Sequence, residues 1–315
     1  MEQFTDVFNI GLLQNTLRTA TPVILAAMGG LFTEQAGIMN IGMDGMILIG
    51  AFVAVAFSFA MSSAALGVAA AVLVGIAIGL FFALFVVKLR SDEFIIGMAL
   101  NTFAGGLTVY LLRAVFGVRG TFSDEGIAAL PVIHIDFLDN IPLIGPLLND
   151  NSLFVYLTWI LVFLTWLFLY RTPYGFWMRA AGEHPESLET AGINPQRMKF
   201  IASILCGVFC GFAGAHLSLG YLTMFTEGMS SSRGFIAFAC VIFGMANPPK
   251  VFLAALLFGF LDALGLRLQS VGVPSDLTAT IPYIATVLML IYVVVSSDRR
   301  KRKRAEKQLK YSGDA

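Results

Sequence analysis

The chain has 315 residues, 57% of them apolar and only 13% charged, with a mean hydropathy of +0.82. An ordinary globular domain is about 25% charged, so this balance argues against a soluble domain and for a polytopic helical membrane protein. The formal net charge is zero, yet the basic residues concentrate in RRKRKRAEKQLK at 299–310, directly after an apolar run.

Continuous apolar stretches predict helices near 11–32, 42–60, 64–87, 94–115, 153–171, 200–222, 234–247, 251–268 and 278–297. The fold class expected is all-α, a transmembrane bundle of about eight to ten spans with broken or re-entrant helices. Barrel strands would alternate over roughly ten residues, and these runs do not. The start, MEQFTDVFNIGLL, shows no basic n-region or A-x-A site, so no cleaved signal peptide is expected.

Between the first two runs lies EQAGIMNIGMDGMILIG, residues 34–50. It sets Glu34, Asn40 and Asp44 among glycines at or near membrane depth. Irregular backbone there survives only when buried in protein or lining a wet cavity, and ionisable groups are costly. A helix broken beside a solute path accommodates both. The three polar side chains either line that path or cap the broken ends.

Further along, Gly75 and Gly79, then Gly207, Gly211 and Gly214, stand at helix-packing intervals. Asn101 sits mid-span, as a path residue or an interhelical hydrogen-bonding one. The segment 116–152 is rich in Pro, Gly and Asp and poor in basic residues, as an external loop should be. Lys88, Arg90, Arg171, Arg179, Arg197, Lys199 and Lys250 can all face the cytoplasm with the tail if the spans alternate. The side of the N-terminus stays open. The run 234–247 is short for a span of about 20 residues, so it is expected to be re-entrant or tilted.

Asp262 is an intramembrane carboxylate and therefore a functional candidate. Arg267 is a possible partner at a spacing poor for one helix. Phe103, Phe235 and Phe238 either stack on a planar ligand or pack. His216 fits a packing and hydrogen-bonding role better than a ligand role. The cysteines Cys206, Cys210 and Cys240 read as small core residues. No phosphate loop, H-E-x-x-H or G-x-S-x-G occurs, so no enzymatic chemistry is expected. His134, His184 and His216 fall in different predicted compartments, which excludes a shared metal site.

The loop 172–199 reads TPYGFWMRAAGEHPESLETAGINPQRMK. Pro173 and Gly175 are expected to end the preceding helix. Pro185 suits a first helical turn, Glu186 and Glu189 suit the positive end of the helix dipole, and Gly192 suits a C-terminal cap. The pattern predicts one short helix across a membrane face, either an ordinary connection or a docking helix.

Three stretches carry a resemblance: FTEQAGIMNIGMDGMILIGAF at 32–52, TPYGFWMRAAGEHPESLETAGI at 172–193, and SRGFIAFACVIFGMANPPKVFLAALLFGFLDALGLRLQ at 232–269. They are similar to an E-x-A-G-x-x-N-I-G-x-E-G-M signature, a cytoplasmic coupling segment, and G-R-G-F-I-A and N-P-rich helices. By them the chain resembles permease subunits of ABC importers in the branched-chain amino acid, ribose and nucleoside permease family, nearest the nucleoside and simple-sugar branch. Asp44 stands where that branch commonly has Glu. Met245 and Ala246 replace a frequent basic–aromatic pair. Ser187, Leu188 and Thr190 replace common alanines.

The resemblance implies a permease domain at 1–298 and a basic cytoplasmic tail at 299–315 in the cell's inner membrane. Its path residues would be Glu34, Asn40, Asp44, Asn101 and Phe235. Its ATPase-coupling residues would be Gly182, Glu183, Pro185, Glu186, Glu189 and Gly192. It implies ATP-binding subunits that hold the ATP, with no cofactor in this chain. It implies also a second permease, the same or related, and an external substrate-binding protein. Membrane lipid is expected as a partner and nucleic acid is not. Nucleosides are the expected cargo, then simple sugars, moved inward by alternating access. The alternative from another class is an ion-coupled carrier without an ATPase, motivated by Glu34, Asp44 and Asp262.

Overall fold

The computed structural model describes residues 10–134 and 148–274, and also 136, 145, 277, 278, 280–282, 284–288 and 291. The basic tail, the first nine residues, most of 135–147 and much of the predicted helix 278–297 lie outside the described residues. Six helices among them are long and apolar enough to cross a membrane by length and composition. These are α2 (Met43–Met61), α3 (Ala64–Ala83, continued by a π-helical turn Leu84–Lys88), α4 (Glu93–Phe116), α5 (Leu153–Arg171), α8 (Pro195–Ala215, continued by a π-helical turn His216–Tyr221) and α10 (Pro248–Ser270).

At the centre runs α1 (Ile10–Gln35), 26 residues long and so about 39 Å at 1.5 Å per residue. Thr19 to Thr33 are buried without interruption, and α1 touches α5, α8, α9 and α10. Its hydroxyls are satisfied locally or across the bundle. Thr16 and Thr21 donate to carbonyls four residues back, and Thr19 Oγ1 also donates to the Gly259 carbonyl of α10 at 2.9 Å. Unsatisfied hydroxyls in this setting would be costly. By contrast α4 and α5 are only 28% buried, against 67% for α2 and α8, so α4 and α5 form the outer surface of the bundle.

The glycines spaced for packing meet one another. A methyl group on Gly75 of α3 would overlap the Gly207 carbonyl of α8, and one on Gly207 would overlap the Gly75 carbonyl. Gly79 faces Ser203 and Gly211 faces Ala71 in the same way. In lipid, helices associate by van der Waals contact, which small residues allow to be close.

Helix starts follow capping chemistry. Asp92 caps α4 by accepting from Ile95 N at 3.0 Å. Asn194 caps α8 by accepting from Gln196 N at 2.8 Å, with Pro195 in the first turn. Proline suits that position because its missing N–H would be unpaired anyway. This moves two predicted starts: α8 begins at Pro195 rather than 200, and α10 at Pro248 rather than 251. It also corrects the loop 172–199. Pro173 does not merely end α5 but opens α6 (Pro173–Glu183), with Thr172 accepting from Gly175 N at 3.2 Å. A second helix, α7 (Pro185–Thr190), follows, so the loop holds two helices rather than one.

The opposite end of the bundle is closed by two short antiparallel strand pairs. β1 (Thr121–Phe122) pairs with β4 (Phe225–Thr226), and β2 (Val132–Ile133) with β3 (Asn151–Ser152), both antiparallel. Arg18 near the start of α1 donates to Asn151 Oδ1 and the Asp150 carbonyl. His216 is fully buried beneath this cap. Its Nε2 lies 3.3 Å from the Arg18 carbonyl, which only accepts, so Nε2 donates and Nδ1 accepts from Ser152 Oγ, also at 3.3 Å.

From β4 the chain turns back into the bundle and forms α9 (Arg233–Phe243). Eleven residues extend about 16 Å, short of the roughly 30 Å hydrocarbon thickness. The expected re-entrant character of this stretch is therefore met by a half-helix that starts inside the bundle.

Candidate functional site

The break between α1 and α2 is a seven-residue crossing, Ala36–Gly42, held by amide side chains. Asn40 Oδ1 accepts from Gly42 N at 3.0 Å, and its Nδ2 lies 3.3 Å from Cys206 Sγ of α8. Asn40 is 1% exposed, so its amide is spent on the break. Asn101 of α4 clamps the same crossing from outside. Its Nδ2 donates to the Ile41 carbonyl at 3.0 Å, and its Oδ1 accepts from Gly45 N at 2.7 Å. Both bonds go to backbone groups freed by the interruption of the helix.

Asp44, in the first turn of α2, reaches across to α9. Its Oδ1 accepts from Gly234 N at 3.0 Å and its Oδ2 from Ser230 Oγ at 2.9 Å. The carboxylate thus caps the half-helix N-terminus from another element, where dipole and orphan N–H groups favour negative charge. Position 234 has no room for a side chain, because an added methyl would overlap the Asp44 backbone.

Beside this cap, Arg233 Nη2 donates to Asp262 Oδ2 of α10 at 3.3 Å. The partner of Asp262 is therefore Arg233, brought in by the re-entrant fold, and the Arg267 pairing considered from sequence is replaced. Arg233 Nη1 also reaches the Met229 and Ser230 carbonyls.

The segment with α6 and α7 seats directly on the helix break. Gly37 takes a positive φ of 71°, and a methyl on it would lie 3.0 Å from the Gly182 Cα. A methyl on Gly182 would overlap the Gln35 carbonyl. The end of α6 and the end of α1 thus meet backbone to backbone. On the other side Gln35 Nε2 donates to the Ala246 carbonyl, just past α9, at 2.6 Å. A cleft of about 520 Å³ lies beside this joint, lined in part by Gly37, Arg90, Glu93, Pro185, Glu189 and Lys199.

Of the residues expected to couple to an ATPase, Glu183, Pro185, Glu186, Glu189 and Gly192 are exposed, while Gly182 is half-buried at the joint. Gly192, at φ 80°, follows the end of α7. Leu188 is buried against α6 and α8 and holds α7 to the bundle. Of the expected path residues, Asn40, Asp44 and Asn101 converge on the break. Glu34 is half-buried in the last turn of α1. Phe235 is 37% exposed and Phe103 60% exposed, whereas Phe238 packs against the core. The sequence reading missed Ser230, Gly234, Arg233 and Gln35. Arg233, Gly234 and Gln35 stand inside the stretches that carry the resemblance, but their partners lie far away in the chain. Among the described residues no cluster of His, Cys, Asp or Glu could hold a metal ion.

The family model described as branched-chain amino acid transport system / permease component matches residues 12–295. The chain belongs to this permease family. A putative glucose ABC transporter permease of Haloferax volcanii is 32% identical, covering 92% of this chain and 94% of that protein. A guanosine ABC transporter permease of Bacillus subtilis is 32% identical over 91% and 92% of the two chains. A nucleoside ABC transporter permease of Lactococcus lactis is 32% identical over 89% and 90%. No solved structure matches the chain. As a member of this family the chain is a transport subunit rather than an enzyme.

Proposed function

We propose that the chain is a membrane subunit of an ABC importer that moves nucleosides, with simple sugars next, into the cytoplasm. The observation that carries this reading is the joint between Gly182 and Gly37, which seats the 172–199 segment on the interrupted helix. ATP-binding subunits dock on the exposed face of α6 and α7 and hold the ATP, with no cofactor in this chain. A second permease, identical or related, completes the pore, and an external binding protein delivers the solute. The relatives named for guanosine, nucleosides and glucose support the cargo class.

Sidedness follows the positive-inside rule. Arg90 and Lys199 border the cleft at the α6–α7 end, and Arg171, Arg179 and Arg197 lie on or beside those helices. That end is cytoplasmic, the end with the strand pairs is external, and α1 starts outside. The tail 299–315 is then cytoplasmic. Asp44 and Asp262 are occupied as a helix cap and an ion-pair member, which removes much of the motive for an ion-coupled carrier.

The experiment is uptake of labelled nucleoside and labelled ribose by cells expressing the complete operon. Nucleoside uptake that stops when the ATP-binding subunit is inactivated supports the proposal. Ribose uptake without nucleoside uptake overturns the cargo. Transport by this chain alone in ion-loaded liposomes without ATP overturns the mechanism.

A further inference from the structure

A cavity of about 310 Å³ lies between the approach to α9 and the C-terminal half of α10. Ser231, Ser232, Ile236, Asp262 and Gln269 line it, together with Leu266. Its size falls at the lower end of the roughly 300–1,000 Å³ usual for small-molecule sites. Ser231 is exposed, and Ser231 and Ser232 both hold left-handed backbone, φ 46° and 62°. Such conformations persist in non-glycine residues only where the surroundings impose them. Gln269 donates to Thr278 Oγ1 at 2.7 Å, which leaves its amide oxygen as an acceptor.

The charge of the cavity selects its ligand. Asp262 is matched by Arg233 at 3.3 Å, and that pair is 34% and 15% exposed. The lining therefore offers hydroxyls, an amide and one carboxylate, Asp262, whose charge is matched by an arginine outside the lining. An anion such as a phosphate would face Asp262, and a cation would find that carboxylate already paired with Arg233. A neutral solute rich in hydroxyls meets acceptors and donors without either conflict. Ile236 and Leu266 supply apolar surface for its C–H face.

We infer that this cavity is a binding site of the permease itself for the sugar hydroxyls of the transported solute, on the side from which it arrives. The inference rests on the proposed function for its cargo class. It assigns the recognition of the sugar to Ser231, Ser232, Asp262 and Gln269, which line the cavity.

Two measurements test it. Cells with the complete operon are given labelled ribonucleoside, the 2′,3′-dideoxy analogue, or free ribose. Without nucleoside or ribose uptake by the wild type, the proposed function itself fails. With it, the double variant Ser231→Ala and Ser232→Ala is expected to narrow the preference for ribonucleoside over the dideoxy analogue by about tenfold or more, because sites built around a hydroxyl reject analogues lacking it. An unchanged preference overturns the site while leaving the cargo class intact. Free ribose showing the same loss identifies the sugar as the recognised moiety, and a loss seen for neither ligand overturns it. The second measurement uses Ser231→Cys. The native cysteines Cys206, Cys210 and Cys240 are buried, so a polar methanethiosulfonate reagent reaches the introduced thiol. Saturating nucleoside is expected to slow that labelling several-fold, and labelling at an unchanged rate refutes the site even if the alanine variant fails to insert.

Discussion

Replacing Asp44 by Ala removes the cap on the half-helix α9. Two acceptor positions go at once, those for Gly234 N at 3.0 Å and Ser230 Oγ at 2.9 Å. Gly234 is buried, so its N–H loses its partner away from water. A lost N-cap costs about 0.5–2 kcal/mol, and an orphaned buried donor about 1–3 kcal/mol. The two figures describe overlapping interactions, so the sum expected is about 2–4 kcal/mol. At about 2–4 °C per kcal/mol for a chain approaching this size, melting should fall by on the order of 5–10 °C. Asp44→Asn separates geometry from charge. Its Oδ1 still accepts from Gly234 and its Nδ2 can donate to Ser230, and Asn caps nearly as well as Asp. It should lose only about 1 kcal/mol. The assay is thermal unfolding of the detergent-solubilised permease followed by tryptophan fluorescence. An Asp44→Ala protein melting with the wild type would refute the cap, and so would an Asp44→Asn protein as damaged as the alanine variant.

Three further outcomes follow from the same geometry. Gly182→Ala forces α6 away from the Gln35 carbonyl, so nucleoside uptake should drop at least several-fold while the assembled complex still hydrolyses ATP. Parallel measurement of uptake and hydrolysis checks this, and equal loss of both would point to misassembly. Asn101→Ala leaves the Ile41 carbonyl and Gly45 N–H without partners, a loss of about 1–3 kcal/mol, seen as a lowered melting temperature that Asn101→Gln does not restore. In a double-mutant cycle, Arg233→Met and Asp262→Asn should show a coupling of about 0.5–3 kcal/mol. No coupling would mean that the ion pair contributes only as two independent side chains.

Much of the architecture was legible because lipid imposes long apolar runs, and the spacing of Gly75, Gly79, Gly207 and Gly211 marked helix packing without saying that α3 and α8 were the pair. Pro185 was read as opening a helix, but the boundaries at three other prolines were read less well. Pro173, Pro195 and Pro248 look like stops in a local pattern, yet each sits at a helix start behind Thr172, Asn194 or Asn247. At the site, Asn40, Asp44 and Asn101 stood out as polar groups in an apolar setting. Their partners did not. Gly234 is 190 residues from Asp44, and Arg233 is 29 residues from Asp262 on a separate element. Pairings that depend on a re-entrant turn leave no periodic trace, and reading one helix alone leaves only Arg267 nearby, at a spacing poor for a pair.

The joint at the end of α1 makes the last case. Met245 and Ala246, the residues just past α9, both hold left-handed backbone, φ 51° and 48°. Such non-glycine conformations cost of order 1–3 kcal/mol each and need support from outside. Gln35 supplies part of it through the 2.6 Å bond to the Ala246 carbonyl. Because Gly182 abuts the Gln35 carbonyl on the other side, any movement of α6 bears on the residue that steadies the foot of the half-helix. The half-helix in turn carries Gly234 against Asp44 at its other end. Gln35→Ala cuts this chain at one bond and leaves both glycine contacts in place. The permease should fold and recruit its ATP-binding subunits, with melting lowered by about 1 kcal/mol for one lost hydrogen bond. ATP hydrolysis should continue while solute uptake per ATP falls, and Gln35→Glu, which cannot donate to the carbonyl, should behave as the alanine does. Uptake per ATP equal to wild type in both variants would show that force reaches α9 by another route.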